Sequence, residues 1–557
     1  MAFVQTAPQL RNQYDDDHVL RSYLKHTLPG DVLSGIEPAL RELGRLAGDD
    51  LYRLQAADRT SEPMLTQWDA WGNRIDHVST TPLWQLAERI AAEHGVVAAA
   101  YDTPYGQYGR VHQFALAYLF TASTDLYSCP LAMTDGAARA LLAARNDTLI
   151  ARAVPHLTSR DPREFWTSGQ WMTEATGGSD VGQTETLARH DGRVWRLHGK
   201  KWFVSAVQSE VALTLARPEG NPPGSKGLAL FYVETRDGDR LAEGIRIDRL
   251  KDKFGTRKVP TAELTLDGVK AELVAGVRDG VKHIAPMLNV TRAWNTVTAA
   301  AFMRRALALA RDYARHRVAF GAPLADQPLH VDTLAGLQAE FEGAFHFAMF
   351  IAELLGRIEH ERASEAQHRV HRALTPIAKL LTGRQVVEVM SEVIEAFGGA
   401  GYVEDTGLPA LLRDAHVLPI WEGTTNVLAL DALHALADEE TRRVVRREAA
   451  LLLNSVHSRQ LLPLSARVDG ALEQAEAWRL QAMASGTATL EAGARRYAMT
   501  LGRSFELALL LRHAQRVLDE QGDKRSCAAA VRFAAFGTNR LHHADLADSS
   551  ALGRDAD

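Results

Sequence analysis

Glu422, in "PIWEGTTNV" (419–427), has the surroundings of a residue that does chemistry. A carboxylate stands between an indole and a glycine, with apolar "VLPI" before it and hydroxyls after it. Two roles suit it. As a cap, it would offer negative charge to the free N–H groups of a helix that Gly423 introduces. As a general base, it would stand withdrawn from water, where carboxylates bind protons more readily.

Four other stretches carry usable groups. "WMTEATGGSDVGQTET" (171–186) is a glycine-rich loop with hydroxyls at Thr173 and Ser179. It reads as a plain turn, or as a cradle of N–H groups for a polar ring edge or a phosphate. It lacks the G-x-G-x-x-G dinucleotide fingerprint. "GKKWFVSAV" (199–207) brings Trp202 and Phe203, for a core or for stacking on a planar heterocycle. "ARHRVAFGAPLADQP" (314–328) ends a helix at Arg317, followed by Phe320, Gly321 and Gln327. "EAFGGAGY" (395–402) places glycines after an apolar helix. Simple C-caps account for the last two.

The elements that must position these groups change in texture along the chain. Residues up to about 170 read as mainly helical, with apolar residues three and four apart in 83–101 and 136–157. From 171 to 278 come short alternating or β-branched runs, "RVWRLHGKKWFVSAV", "GLALFYVET", "GIRIDRL" and "TAELTLDGV". Turn material such as "RPEGNPPGSKG" separates them, which predicts a compact β-barrel or sandwich. Long amphipathic runs at 291–318 and 331–358 predict a helical bundle over 279–437. A charged break, "LADEETRR" (436–443), precedes a helical extension over 438–557.

In this order, "MTEATGGSD", "KKWFVS", "RHRVAFG…Q", "EAFGGAGY" and "IWEGTTN" resemble the acyl-CoA dehydrogenase family, over roughly residues 80–436. Within it, the extension past 440 and "IWEGTTN", with Trp421 where Tyr is usual, look most like the AidB branch, flavoproteins of the adaptive response to alkylation. The resemblance implies a mainly α fold with a central β-domain: N-terminal helical domain, β-barrel domain and C-terminal four-helix bundle, here with an extra helical tail. It also implies FAD, commonly in a homotetramer.

Carried over residue by residue, Met172, Thr173 and Ser179 would line the isoalloxazine, and Phe203, Val204 and Ser205 its other edge. Arg317, Phe320 and Gln327, with Glu395, Phe397, Gly398 and Gly399, would hold the pyrophosphate and adenine ends of a neighbouring subunit's FAD. Thr424 and Asn426 would meet the diphosphate. Glu422 would remove the α-proton of an acyl-CoA-like thioester while a β-hydrogen passes as hydride to flavin N5, and Arg292 would face the CoA. An electron-accepting flavoprotein or oxygen would reoxidise the flavin. Ala175-Thr176 replace the family's usual Pro-Gly, which implies a differently shaped loop, and Glu395 stands at a usual glutamine. Asn289 stands where a carboxylate is often found.

Composition sets outer limits. The 557 residues are 46% hydrophobic and 24% charged, as in ordinary globular proteins. Two distant cysteines, Cys129 and Cys527, exclude a disulfide framework and a multi-cysteine metal site, so no metal is expected. With no signal-like start and no transmembrane-length apolar run, the expectation is a cytoplasmic protein without membrane partners. A net charge of −6 argues against general adhesion to nucleic acid. Residues 441–557 run the other way, with 17 Lys/Arg against 13 Asp/Glu. Arg442, Arg443, Arg446, Arg447, Arg495, Arg496, Arg503, Arg512 and Arg516 recur at spacings that can share helix faces. They read as a solvated surface or as contacts to the backbone of double-stranded DNA, the latter encouraged by the AidB-like resemblance. The alternative function is therefore a DNA-binding flavoprotein protecting against alkylation, with little acyl-CoA turnover.

Overall fold

The computed structural model describes residues 5–555. Helices dominate on both sides of one central sheet. Five strands close that sheet into a ring: Thr261–Leu273, Trp195–Ser205, Leu187–His190, Val211–Pro218 and Ala229–Glu234, which returns to pair with Thr261–Leu273. Ile245–Leu250 and Ser168–Trp171 extend its two ends. The barrel keeps its own apolar core, centred on Leu197, Val204, Phe231 and Leu264. The Val211–Pro218 strand was not recognisable from the sequence. Nearly every residue in it is buried, so it lacks the in–out alternation that marks a half-exposed strand.

The N-terminal part is helical except for a hairpin, Met64–Trp68 paired with Arg74–Ser79. The hairpin departs from the helical expectation and has a clear job. Buried Asp76 accepts from the Ile247 amide at 3.0 Å, and Arg74 donates to the Ile247 carbonyl at 2.8 Å. These contacts cover the edge strand of the barrel, which would otherwise offer bare backbone groups. The run expected as helix over 136–157 is two helices, Ser128–Ala144 and Asp147–Leu157. Arg145 adopts a left-handed φ of 54°, and the Asn146 side chain caps the second helix through the Leu149 amide.

The bundle consists of Gly280–His316, Pro328–Glu359, Glu365–Ala396 and Thr425–Ala435. A buried polar network locks it to the N-terminal helices. Asp135 accepts from Arg110, Gln113 and the Trp294 indole at 2.7–2.8 Å, while Arg110 also grips Glu359. Every donor has an acceptor there, as buried charge requires.

The tail is no appendage. Its helix Thr487–Gln521 is buried on all sides from Leu501 to Leu511 and packs on the second and third bundle helices. Phe505 lies parallel to Phe347, ring centres 6.3 Å apart. The charges in this stretch, Arg503 and Glu506, are buried with it, and Arg503 is matched by Glu340 of the second bundle helix. Among the described residues no helix is long and apolar enough to cross a membrane.

Candidate active site

Glu422 lies at the seam between barrel and bundle, on a turn that the sequence builds residue by residue. The amides of Ile420 and Trp421 both return to the Val417 carbonyl, closing one turn of chain. Glu422 then takes a left-handed φ of 58° and Gly423 one of 104°. For a residue with a side chain that conformation costs about 1 kcal/mol, so the surroundings must hold it. Gly423 has no substitute: a Cβ there would come within 2.8 Å of Leu428. The following helix starts at Thr424 as its N-cap residue, which removes the capping role for Glu422.

The Glu422 carboxylate instead reaches the first bundle helix. Its Oε2 accepts from the Thr291 hydroxyl at 2.5 Å, and its backbone carbonyl accepts from Arg292 Nε at 3.4 Å. Oε1 makes no hydrogen bond among the described residues. Lys379, fully buried in the third bundle helix, donates to the Gly423 carbonyl at 2.6 Å. Burial pushes the Lys379 pKa down to about 7, opposed by the charge of Glu422 and assisted by that of Arg292. Arg292 is a brace for this turn: its other end pairs with Asp431 at 2.8 Å, which also pairs with Arg372.

Groups from all three domains meet at this turn. Cys129, from an N-terminal helix, lies beside Ser205 of the barrel and feels the charges of Lys253 and Glu422. Burial pushes its thiol up to about 12, so it is a neutral wall rather than a nucleophile. Lys253 donates to the Val259 carbonyl and the Thr261 hydroxyl at 2.7 and 2.8 Å, and burial draws its pKa down to about 8. Sequence reasoning passed over Thr291, Lys379 and Cys129. Only Lys379 left a trace, as a single charge inside the apolar run "ALTPIAKLLTG".

The glycine-rich loop is shaped by a buried ion pair. Glu174 lies 2.7 Å from Lys201 and accepts from Thr186 at 2.6 Å and the Glu185 amide at 2.7 Å. Burial alone would raise the Glu174 pKa, but Lys201 and these donors hold it below the ordinary carboxylate value. The replaced pair Ala175-Thr176 sits on the exposed tip of the turn between Glu174 and Gly177. Thr173 accepts the Trp202 amide on its carbonyl at 2.9 Å and turns its side chain against Gly178. Met172 packs on the main core, Ser179 is exposed and Val204 is buried. Phe203 is half exposed, and Lys251 lies over its ring at 4.4 Å and over that of Trp202 at 3.6 Å. Thr424 and Asn426 are exposed at the start of their helix.

A second group forms around the end of the first bundle helix. Val318–Ala319 and Ala322–Pro323 make a two-residue hairpin whose tip, Phe320-Gly321, has φ angles of 52° and 83°. Phe320 is wholly exposed, and Gln327 closes the hairpin by donating to the Ala319 carbonyl. Arg317 is the C-cap residue of the first bundle helix. Phe397 stacks on Tyr313 with ring centres 4.4 Å apart, which brings Glu395, Gly398 and Gly399 to this end of the bundle. Glu395 is exposed, and both glycines face open space.

The nine tail arginines do not form one face. Arg503 is buried, bound to both oxygens of Glu340 at 2.9 and 2.8 Å and to the Gly537 carbonyl, so it is withdrawn from any phosphate backbone. Arg442 is turned in upon the Leu436 and Ala437 carbonyls, and Arg496 and Arg512 are half-buried. Arg443, Arg446, Arg447, Arg495 and Arg516 are exposed, but Arg443, Arg446 and Arg516 already pair with Glu440, Glu473 and Glu520.

Comparison with known proteins identifies the family of the chain. Residues 169–269 match the acyl-CoA dehydrogenase middle domain, 278–436 the C-terminal domain of that family, and 5–162 the AidB N-terminal domain. Acyl-CoA dehydrogenase family member 11 of Caenorhabditis elegans is 42% identical over 528 residues, 92% of this chain and 86% of that protein. This chain belongs to the acyl-CoA dehydrogenase family. The AidB protein of Escherichia coli (strain K12) is 33% identical over 407 residues, 71% of each chain. The crystal structure of C. elegans ACDH-11 in complex with C11-CoA superposes with a TM-score of 0.94 at 38% identity, covering 100% of this chain and 97% of that one. The likeness to that structure extends through the tail.

Proposed function

We propose that the chain is an FAD-dependent acyl-CoA dehydrogenase of the AidB-like branch, with Glu422 as the base that removes the α-proton of a CoA thioester. The observation carrying this reading is the Glu422 turn itself. A strained left-handed carboxylate, oriented by Thr291 and braced by Lys379 and Arg292, stands where the three domains meet. Strain of this kind persists where the surroundings over-determine it, a common feature of active sites.

The residues present fit a flavin. The buried Trp421 indole N–H has no partner, and the side chains of Thr173, Ser179, Thr424 and Asn426 make no hydrogen bond to the described residues. These uncommitted donors and acceptors, with Met172, Val204 and Ser205, would hold the ring and diphosphate. When bound, FAD supplies the acceptor for the β-hydrogen and its electron pair. Arg317, Phe320, Gln327, Phe397, Gly398 and Gly399 would serve the FAD of a neighbouring subunit in a homotetramer, a use that suits the bare aromatic at position 320.

The chain's own work is proton transfer and exclusion of water. Glu422 Oε1 takes the α-proton while Thr291 keeps Oε2 in place, so the carboxylate need not reorient during the step. Neutral Cys129 and the Trp421 ring keep that space free of competing bases and water. An electron-accepting flavoprotein or oxygen would complete the cycle. The relative crystallised with C11-CoA supports a fatty acyl thioester as substrate. The arginine placement gives no support to a DNA-binding role for the tail. The test is anaerobic titration of the FAD-loaded protein with acyl-CoAs of graded length. Bleaching of the flavin by at least one thioester supports the reading, and a flavin unchanged by all of them overturns it.

A further inference from the structure

A cavity of about 190 Å³ lies between the N-terminal segment 9–19, the first two bundle helices and Arg525 of the tail, and shares no residue with the Glu422 turn. Five arginines line it against three aspartates. Arg304, only 5% exposed, spends Nε on Asp17 at 3.0 Å and Nη2 on Asp16 at 3.1 Å. Its Nη1 is buried with no partner. Arg525 is matched by Glu342, and Asp312 accepts the Gln9 amide and lies 3.7 Å from His316.

Arg311 is left over. Its single hydrogen bond, Nη1 to Gln338 Oε1 at 2.7 Å, ends on a neutral amide that itself donates to Glu342. No carboxylate lies within ion-pair distance of it among the described residues. Arg311 is half-buried, and desolvation, reinforced by the charge of Arg304 and opposed by those of Asp17 and Asp16, draws its pKa down to about 10. Water in the cavity would satisfy these N–H groups but would not balance the charge. Arg304 already has two aspartates, so Arg311 is the guanidinium left without a paired anion, a state that partial withdrawal from water makes costly.

We propose that this cavity binds a small oxyanion, a phosphate or carboxylate group, between Arg311 and the free Nη1 of Arg304, with exposed Arg315 at its lining. A planar guanidinium fork matches the paired oxygens of either group. The bound anion would tie the N-terminal segment, the bundle and the tail together, and would therefore stabilise the fold as well as bind.

The test uses the full-length, FAD-loaded protein in chloride buffer at constant ionic strength, titrated calorimetrically with inorganic phosphate or with acetate. One saturable site per chain is expected, accompanied by a rise in the thermal unfolding midpoint. Phosphate binding more tightly than acetate assigns a phosphoryl group, and the reverse order a carboxylate. Arg311→Met should weaken binding about tenfold or more, with Arg278→Gln as a surface control that leaves it unchanged. Should Arg311→Met fail to fold, Arg315→Gln at an exposed position should still weaken binding measurably. No saturable binding by either anion, or binding undiminished in whichever of these two variants folds, would overturn the proposal.

Discussion

The Thr291 hydroxyl donates to Glu422 Oε2 at 2.5 Å, across 131 positions of sequence, and so fixes the carboxylate of a left-handed turn against the first bundle helix. This contact makes Thr291 a positioning residue in the proposed chemistry. Thr291→Val keeps the shape and removes the donor. The rate of flavin reduction by a reactive acyl-CoA should fall about tenfold, the value of one hydrogen bond to a charged group. Flavin content and the half-saturating thioester concentration should stay near those of the parent. Stopped-flow reduction measures this, and an unchanged rate would remove Thr291 from the account.

Lys379 gives a pH signature. Its pKa in the folded protein is about 7, below the usual lysine value of 10.5. Between these values the unfolded chain carries the extra proton, so stability rises with pH. The limiting slope is about 1.4 kcal/mol per pH unit for one proton. The thermal midpoint of the parent, measured relative to Lys379→Met, should therefore climb from pH 7 to pH 9. A difference flat over that window would show that Lys379 keeps its ordinary charge.

The glycine-rich loop should depend on its buried ion pair. Lys201→Met leaves Glu174 as an unpaired buried carboxylate and should destabilise by about 3–5 kcal/mol. The double variant Lys201→Met/Glu174→Leu should recover much of that loss, because no charge remains uncompensated. Thermal midpoints and retained flavin follow both effects. Equal damage in the single and double variants would contradict them.

The tail should behave as core. Phe505→Ala, at a side chain with no exposure, should cost about 3–5 kcal/mol. Deleting 441–557 should yield misfolded protein rather than a trimmed enzyme, because it uncovers buried faces of Pro328–Glu359 and Glu365–Ala396. A well-folded, flavin-binding deletion product would contradict this.

Much of the architecture was legible in the sequence, because the helices and half-exposed strands keep their periods. "TAELTLDGV" alternates in residue type, with Ala262, Leu264 and Leu266 in the barrel core and polar residues between them, and reads as a strand. "VALTLARP" does not, being buried on both faces, and the hairpin at 64–79 was hidden inside a helical neighbourhood. The tail arginines mark the limit of spacing arguments. On a helix surrounded by protein, a cation at helical spacing can point inward, as Arg503 does toward Glu340. Glu422 stood out because glycine and an indole flank it. Thr291, Lys379 and Cys129 did not, since their importance comes only from proximity across distant segments.

The most direct measurement is anaerobic stopped-flow reduction of the flavin by a reactive acyl-CoA in Glu422→Gln beside the parent. Glutamine keeps the size and hydrogen-bonding capacity of the side chain while removing its ability to accept the proton. With Glu422 as the base, Glu422→Gln should give a yellow, folded protein that binds the thioester but no longer bleaches. Bleaching at the parental rate would place the base elsewhere and contradict this assignment.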